Sequence, residues 1–292
     1  MTTEEVTVVI PTLGRIEQLR ACLESLAACD PRPAEVLVVA QARAGEVAAL
    51  LASWPELPAR VVPCAGRGVS LGRNVGLREA TREVVLVTDD DCTVAPDWIG
   101  VGARLMAEDP SGIVTGRVLP VGDPTGVPSV KEDPRPRDFT GEPHGGALFP
   151  NNMALARTGV LAVGGFDERF GPEEAAEDNE FCYRWLRSGG SLRYRPELVV
   201  WHHDWRTPAE LEQLYVAYAR GQGFFYAKHL RGGDLRMLRY LARDAWWAAR
   251  GLAAAVLERR PRWTDPRRGI PRGLPRGFRD GWRAYAAPGR RR

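Results

Sequence analysis

Four short apolar runs in the first hundred residues, separated by helical patterns, constrain this chain more than any other feature. Residues 6–10 (VTVVI) form a continuous run that is apolar apart from Thr7, as a strand buried on both faces would be. Pro11, Thr12 and Gly14 predict a turn. Leu19, Cys22, Leu23 and Leu26 then repeat at helical spacing, so Cys22 reads as core packing. A second apolar run (36–40), a helix (46–54), a short strand (60–63), a glycine-rich loop (66–72), a helix (73–81) and a fourth apolar run (84–88) follow. This βαβαβαβ order predicts an α/β fold, with a parallel sheet, right-handed crossovers and helices on both faces. Ligands of such sheets lie beyond the C-terminal strand ends. Those ends are 11–15, 40–43, 64–67 and 89–91.

The pattern then loosens. A strand is predicted at 113–119. Residues 120–143 contain six prolines and predict a long surface loop of the lid or binding kind. A helix over 175–188 stops at Gly189 and Gly190. Strands at 192–194 and 199–201 and helices at 208–229 and 234–258 follow. After Arg259 the chain is rich in Pro, Gly and Arg and is expected to be loosely ordered. The expected organisation is an α/β catalytic domain (1–207), a helical C-terminal extension (208–258) and a basic tail (259–292).

With 292 residues, 44% hydrophobic and 26% charged, the chain is neither disordered nor fibrous. The net charge is +3. Twelve arginines against two aspartates fall from Arg259 onward, so the remainder is mildly acidic. No stretch approaches the roughly 18 apolar residues of a membrane span. Glu4 and Glu5 argue against a secretory signal at the start. Five scattered cysteines with no CxxC pair predict reduced thiols and a cytoplasmic location.

Asp89, Asp90 and Asp91 directly follow the fourth apolar run. Three adjacent carboxylates repel one another, and a divalent cation or strong donors relieve that repulsion. Hard oxygen ligands suit Mg2+ or Mn2+. Alternate residues of an extended segment point the same way, so Asp89 and Asp91 can face one ligand. An acidic turn ahead of the helix containing Trp98 is the other reading of the triplet.

The segments VTVVIPTLGR, GRNVGLREA, VLVTDDDC, GGFDERF, EDNEFCYRWLRSG and VVWHHD, in that order, resemble the nucleotide-sugar-dependent family 2 glycosyltransferases over about residues 5–205. The resemblance implies a GT-A-like fold: a mostly parallel central sheet flanked by helices, here with a helical C-terminal extension. It implies inverting transfer of a sugar from a nucleoside diphosphate to an acceptor hydroxyl. Asp89–Asp91 then corresponds to the DxD element, with Asp89 and Asp90 on the donor. Asp91, joined by Asp89, takes the metal, and His202 of the His202-His203 pair completes the metal site. Pro11, Thr12, Arg15 and Arg73 sit in the strand-end turns as donor contacts, with Arg67 a further positive charge. This family's second strand commonly ends in an acid. Here it ends Val39-Ala40-Gln41, and Gln41 offers an uncharged donor and acceptor to the base edge.

In the helix beginning at Glu177, Asp178 falls within about 60° of Phe181, Cys182 and Trp185, the apolar face. Glu177, Glu180, Arg184 and Arg187 lie opposite, and Glu180 and Arg184 are spaced to pair. The resemblance makes Asp178 the general base, with Glu177 as alternate. It sets Gly164, Gly165, Asn151 and Asn152 near the acceptor, with Asp167 touching it. His144 and His229 carry no signal.

Arg236, Arg239, Arg243 and Arg250 share one stripe of the last predicted helix, flanked by Trp246 and Trp247. Such a helix suits an anionic membrane surface, peripheral at its inner face, and a lipid-linked or polysaccharide acceptor. A solvated arginine stripe is the plainer reading. Nucleic acid is disfavoured by the acidic body and the absence of a recognition motif. Two other functions share the carboxylate signal: a nucleotidyltransferase, which releases pyrophosphate, and a non-catalytic sugar-nucleotide-binding or membrane-adaptor protein.

Overall fold

A computed structural model describes residues 6–122, 127–140, 146–171, 175–203, 206–258 and 265–286. Expectations at Asp204, at His144, in parts of the 120–143 loop and at both ends of the 259–292 tail lie outside the described residues.

The chain divides into two compact units. The first, residues 1–167 and 181–204, is built on a mixed sheet. Its strands are β1 (Val6–Thr12), β2 (Glu35–Ala40), β3 (Ala59–Pro63), β4 (Val84–Thr88), β5 (Cys92–Val94), β6 (Ile113–Val121), β7 (Arg137–Phe139), β8 (Asn152–Ala156) and β9 (Leu192–His203). They run in the order β3-β2-β1-β4-β8-β6-β9-β5, with β7 also on β9. The first four strands are parallel, as the alternation predicts. Beyond β4 the sheet is mixed, because β8 enters antiparallel to both β4 and β6.

Alternate residues of the strands feed two cores, one on each face. Val8 and Ile10 pack with Leu19, Leu23 and Leu26 of α1 (Ile16–Ala27) and with Trp98 and Ile99 of α4 (Trp98–Glu108). Val9, Val85 and Val87 pack on the other face with Leu77 of α3 (Val69–Glu79) and with Phe181 and Trp185 of α6 (Glu177–Arg187). The first core also takes Val47 and Leu50 of α2 (Ala44–Leu51), and the second takes Val160 of α5 (Arg157–Ala162). Burial on both faces is why these strands lack the polar alternation of a half-exposed sheet.

Three expectations are corrected in this unit. The residues expected as two strands at 192–194 and 199–201 form one, β9, and a register shift on β6 between Gly116 and Arg117 absorbs the irregularity. The 120–143 stretch is not one structureless loop, since β7 forms within it and Lys131 bridges back to Val118. Asn152, expected beside the acceptor, has both ends of its amide engaged in the sheet. It is fully buried in β8, where its Oδ1 accepts from Trp98 Nε1 at 2.9 Å and its Nδ2 donates to the Arg117 and Leu198 carbonyls at 2.8 Å.

The second unit holds residues 168–180 and 205–292. Its helices are α7 (Pro208–Arg231), α8 (Met237–Glu258) and α9 (Ile270–Ala284). A capping box opens α7: the Thr207 hydroxyl accepts from the Glu210 N–H, and Glu210 Oε2 accepts from the Thr207 N–H at 2.8 Å. The expectation of a loose tail after Arg259 is overturned by α9. Gly269, Gly273, Gly277 and Gly281 recur every fourth residue on the side against α7. A Cβ at Gly277 would lie 1.7 Å from the Arg220 carbonyl, and one at Gly273 2.3 Å from that of Val216. The composition that looked like a flexible tail is thus a backbone-contact stripe. Along α7 itself, Gly221 admits the backbone of Ala175, whose carbonyl would be 1.3 Å from an added Cβ. The chain passes between units inside α6: its first turn, to Glu180, belongs to the second unit and the rest to the first.

Candidate active site

The parallel order of β1 and β4 brings the turn after β1 beside the triple-aspartate corner. Thr12 Oγ1 donates to Asp90 Oδ2 at 2.5 Å and accepts from the Gly14 N–H at 2.9 Å. Arg15 Nε donates to Asp90 Oδ1 at 3.0 Å, and its Nη2 reaches the same oxygen. Asp90 is fully buried. Burial pushes its carboxyl upward, Arg15 pulls it down, and the charge of Asp91 adds to the rise, leaving it above its usual range. For Arg15 burial opposes the charge, but the hydrogen bond and charge of Asp90, helped by Asp91 and Asp89, raise its pKa. A pair of this kind is costly to break from one side, because the survivor is an uncompensated buried charge. Asp90 thus ties the corner to the first turn.

Asp91 lies between His202 and Arg15. Its Oδ1 lies 3.4 Å from His202 Nε2, and its Oδ2 lies 3.6 Å from Arg15 Nη2. Antiparallel pairing of β5 and β9 sets Cys92 opposite His202. His202 Nδ1 lies 2.8 Å from the Pro128 carbonyl oxygen, which can only accept, so Nδ1 carries a proton. In the neutral imidazole Nε2 is then a bare lone pair directed at a carboxylate oxygen. Two buried acceptors at that separation are well placed to share a cation. The carbonyl that orients the ring is the outer partner expected of a metal-binding histidine. Asp91, Cys92 and His202 each offer a ligand atom within 4.8 Å of the others. The carboxylate suits Mn2+ or Mg2+, and the imidazole favours Mn2+ over Mg2+. Burial, and then the Asp91 and Asp89 charges, push the Cys92 thiol well above its usual range. His203 turns away, with Nε2 3.0 Å from the Thr93 hydroxyl. Burial and the neighbouring His202 lower its pKa.

Asp89 is the accessible member of the triplet, with its side chain 26% exposed and Arg73 Nη2 3.3 Å away. It is not part of the three-atom group around His202. Arg73 is presented by α3, which approaches β1 closely: a Cβ at Gly76 would lie 2.2 Å from Val9 Cγ1, and one at Gly72 2.9 Å from Pro11. Those two glycines, one helical turn apart, leave Arg73 and Asn74 between them on the site side. Asn74 Nδ2 donates to the Phe166 carbonyl at 2.7 Å, and Asn74 Oδ1 accepts from the Phe166 N–H at 2.9 Å. This clamp fixes the Gly164-Gly165-Phe166 turn, and half-buried Asp167 follows it. The Arg73 guanidinium lies 5.4 Å over the Phe166 ring.

Gln41 lies where the second strand ends, but its Nε2 is committed to the Gly68 carbonyl at 2.8 Å, holding the glycine-rich loop. Arg67 is exposed in that loop. Asn151 is buried, its Nδ2 3.9 Å from Cys92 Sγ. Asn74, Cys92, Asn151 and the Pro128 carbonyl were not assigned to the metal or donor site from sequence. Only the GRNVG glycine spacing carried a signal for any of them.

The base candidates belong to the second unit. Asp178 is half-buried and its Oδ1 accepts from the Asn179 N–H at 2.7 Å. Glu177 is buried and its Oε2 accepts from the Ala176 N–H at 3.2 Å. Glu180 corrects the sequence reading. It is fully buried and pairs with Lys228 Nζ at 2.7 Å and His229 Nε2 at 2.9 Å. Its expected partner Arg184 instead donates to the Val163 and Gly165 carbonyls, both at 2.6 Å. Helical periodicity leaves Glu180 on the solvent side, but the first turn of α6 is covered there by Lys228 and His229.

A model of the family "Glycosyl transferase family 2" matches residues 7–159. The chain is 27% identical over 213 residues to a pre-mycofactocin glycosyltransferase of Mycobacterium tuberculosis, covering 70% of this chain and 43% of that protein. It is 30% identical over 121 residues to a glucosyl-dolichyl phosphate glucuronosyltransferase of Haloferax volcanii, covering 40% and 39%. The chain thus spans less than half the length of these curated relatives. Among solved structures, the mannosyltransferase PcManGT of Pyrobaculum calidifontis, in complex with GDP-Man and Mn2+, superimposes with a TM-score of 0.66 at 20% identity, over 94% of this chain and 87% of that one. S. aureus TarS with UDP-GlcNAc gives 0.56 at 16% identity, over 96% and 91%. The GT-A-like fold expected from sequence is the fold of these structures.

Proposed function

The chain belongs to glycosyl transferase family 2, and from that premise we propose that it is a metal-dependent inverting glycosyltransferase, moving a sugar from a nucleoside diphosphate to an acceptor hydroxyl. The observation that carries this reading is the pair of facing acceptors, Asp91 Oδ1 and His202 Nε2, 3.4 Å apart at a C-terminal strand end. Mn2+ or Mg2+ bound there would stabilise the negative charge of the departing diphosphate as a Lewis acid. The PcManGT complex with GDP-Man and Mn2+ supports the choice of ligands.

The remaining roles are those of side chains. Asp91 and His202 hold the cation, with Asp89 reaching the same metal or the donor. Asp90 and Thr12 fix the floor of the donor site. Arg15 and Arg73 add positive charge beside the phosphates, where a planar guanidinium matches phosphate oxygens in pairs. Pro11 and Gln41 line the donor base. Asp167, set by the Asn74 clamp, contacts the acceptor. Asp178 removes the acceptor hydroxyl proton, with Glu177 the alternate base, a role worth about 10²- to 10⁴-fold in rate. The acceptor is lipid-linked or a polysaccharide, and the reaction is cytoplasmic, where five free thiols persist.

The test is incubation of the chain with a panel of nucleoside-diphosphate sugars and Mn2+. Release of nucleoside diphosphate, lost on removal of the ion by chelation and on Asp91→Asn, is expected. Pyrophosphate as the product would make the protein a nucleotidyltransferase, and donor binding without turnover would make it a binding protein.

A further inference from the structure

The outer face of α8 differs from every other surface described above. Its inner side is docked within its own unit: Met237 is fully buried, Tyr240 stacks on Tyr226 at 6.0 Å, and Gly251 lies against Arg267. The outer side carries Leu238, Trp246 and Leu252, each more than half exposed, with exposed alanines between them. At about 100° per residue these occupy one continuous strip. Beside it runs a second strip of Arg236, Arg239, Arg243 and Arg250, with exposed Trp247 at its far edge. The Arg250 guanidinium lies 4.9 Å over the Trp246 ring, so the two strips meet. The two acids nearby are not part of this face. Asp234 and Asp244 are partly buried, and Asp244 accepts from the Tyr226 hydroxyl at 2.7 Å and pairs with Arg243.

We propose that this face docks the protein on an anionic lipid bilayer, with the leucine–tryptophan strip in the interface and the arginine strip on the headgroup phosphates. Several observations select that occupant. Four arginines with no exposed acid among them complement a negative surface, and each basic residue near anionic lipid strengthens binding about fivefold. Tryptophan, apolar in body and polar at its N–H, belongs at the boundary between hydrocarbon and water. None of the described helices is long and apolar enough to cross a membrane, so the contact lies in the plane of the surface. A second copy paired antiparallel through this face would bring the two arginine strips together. Nucleic acid would meet the arginines but leave the leucines in water. The inference is independent of the transferase reading.

The full chain is floated with vesicles of phosphatidylcholine alone and of phosphatidylcholine with one-quarter phosphatidylglycerol. Flotation with the second only, weakening as salt rises, is expected. Arg236→Glu with Arg250→Glu, and separately Leu238→Ser with Trp246→Ser, should each reduce partition at least tenfold while leaving the circular dichroism spectrum unchanged. Arg32→Glu with Arg82→Glu, which removes the same charge from exposed positions in the other unit, should leave it intact. Flotation equal for both lipids, or retained by both α8 variants, overturns the proposal. So does a concentration-dependent dimer that the Leu238/Trp246 change dissolves, which would give the face to a second copy.

Discussion

At the scale of single residues, the chain spends its polar side chains on holding loops still. Asn74 satisfies both backbone groups of Phe166 at once. Asn74→Ala leaves that N–H and carbonyl without partners in a buried turn, and should cost about 2–3 kcal/mol, measured by chemical denaturation. Activity should fall further than stability, because Asp167 follows the released turn. Glu35 offers a test by pH. Burial would raise its carboxyl, but the Thr81 N–H, the Thr7 and Thr81 hydroxyls and Arg60 overcome this and lower its pKa. A depressed carboxyl stabilises the fold above its unfolded pKa and loses that contribution as pH falls through its folded value. Glu35→Gln should therefore unfold more readily at pH 7, by about 1 kcal/mol, and the difference from the parent protein should shrink as the pH falls below the unfolded carboxyl value of about 4.3. Equal stability at pH 7 would show that the four donors do not hold it ionised.

At the scale of elements, glycine spacing decides which helices touch. Gly76 lets α3 reach β1, and the Gly269–Gly281 stripe lets α9 reach α7. Gly277→Val should push the helices apart and cost more than about 2 kcal/mol, seen as a lower melting temperature and cleavage by trypsin within 265–286. Gly146→Ala, with open space around its Cβ, is the comparison, although its positive φ carries a small strain of its own. Strands β1, β2 and β4 were legible because burial on both faces writes them as nearly unbroken apolar runs. Residues 152–156, Asn-Met-Ala-Leu-Ala, were not, since five residues buried throughout are too few to tell a strand from a helix by periodicity. Nor was α9 legible. Its contacts are made by backbone, and a hydrophobic pattern cannot report atoms that glycine leaves out.

At the scale of the whole molecule, the corner at Asp89–Asp91 was legible because it follows a buried strand in chain order. The distribution of labour within it was not. Sequence could set Asp89 and Asp91 towards one ligand but not name the partners: Asp90 is tied to Thr12 and Arg15, Asp91 lies by His202, and Asp89 lies by Arg73. The expected reaction is also a property of the whole assembly. Product from a donor of known anomeric configuration should show inversion by NMR, and retention would rule out single displacement. Asp178→Asn should abolish transfer and leave donor affinity within about twofold, read by calorimetry, since a general base acts on rate.

The helix α6 changes allegiance part-way along its length. A gene fragment ending at residue 204 would therefore not deliver a clean α/β half. It would retain residues 168–180 without α7, stranding the Glu180 carboxylate from Lys228 and His229. Evolution faces the same difficulty as the cloner: the helical part cannot be traded between relatives as a cassette unless the first turn of α6 is rewritten with it.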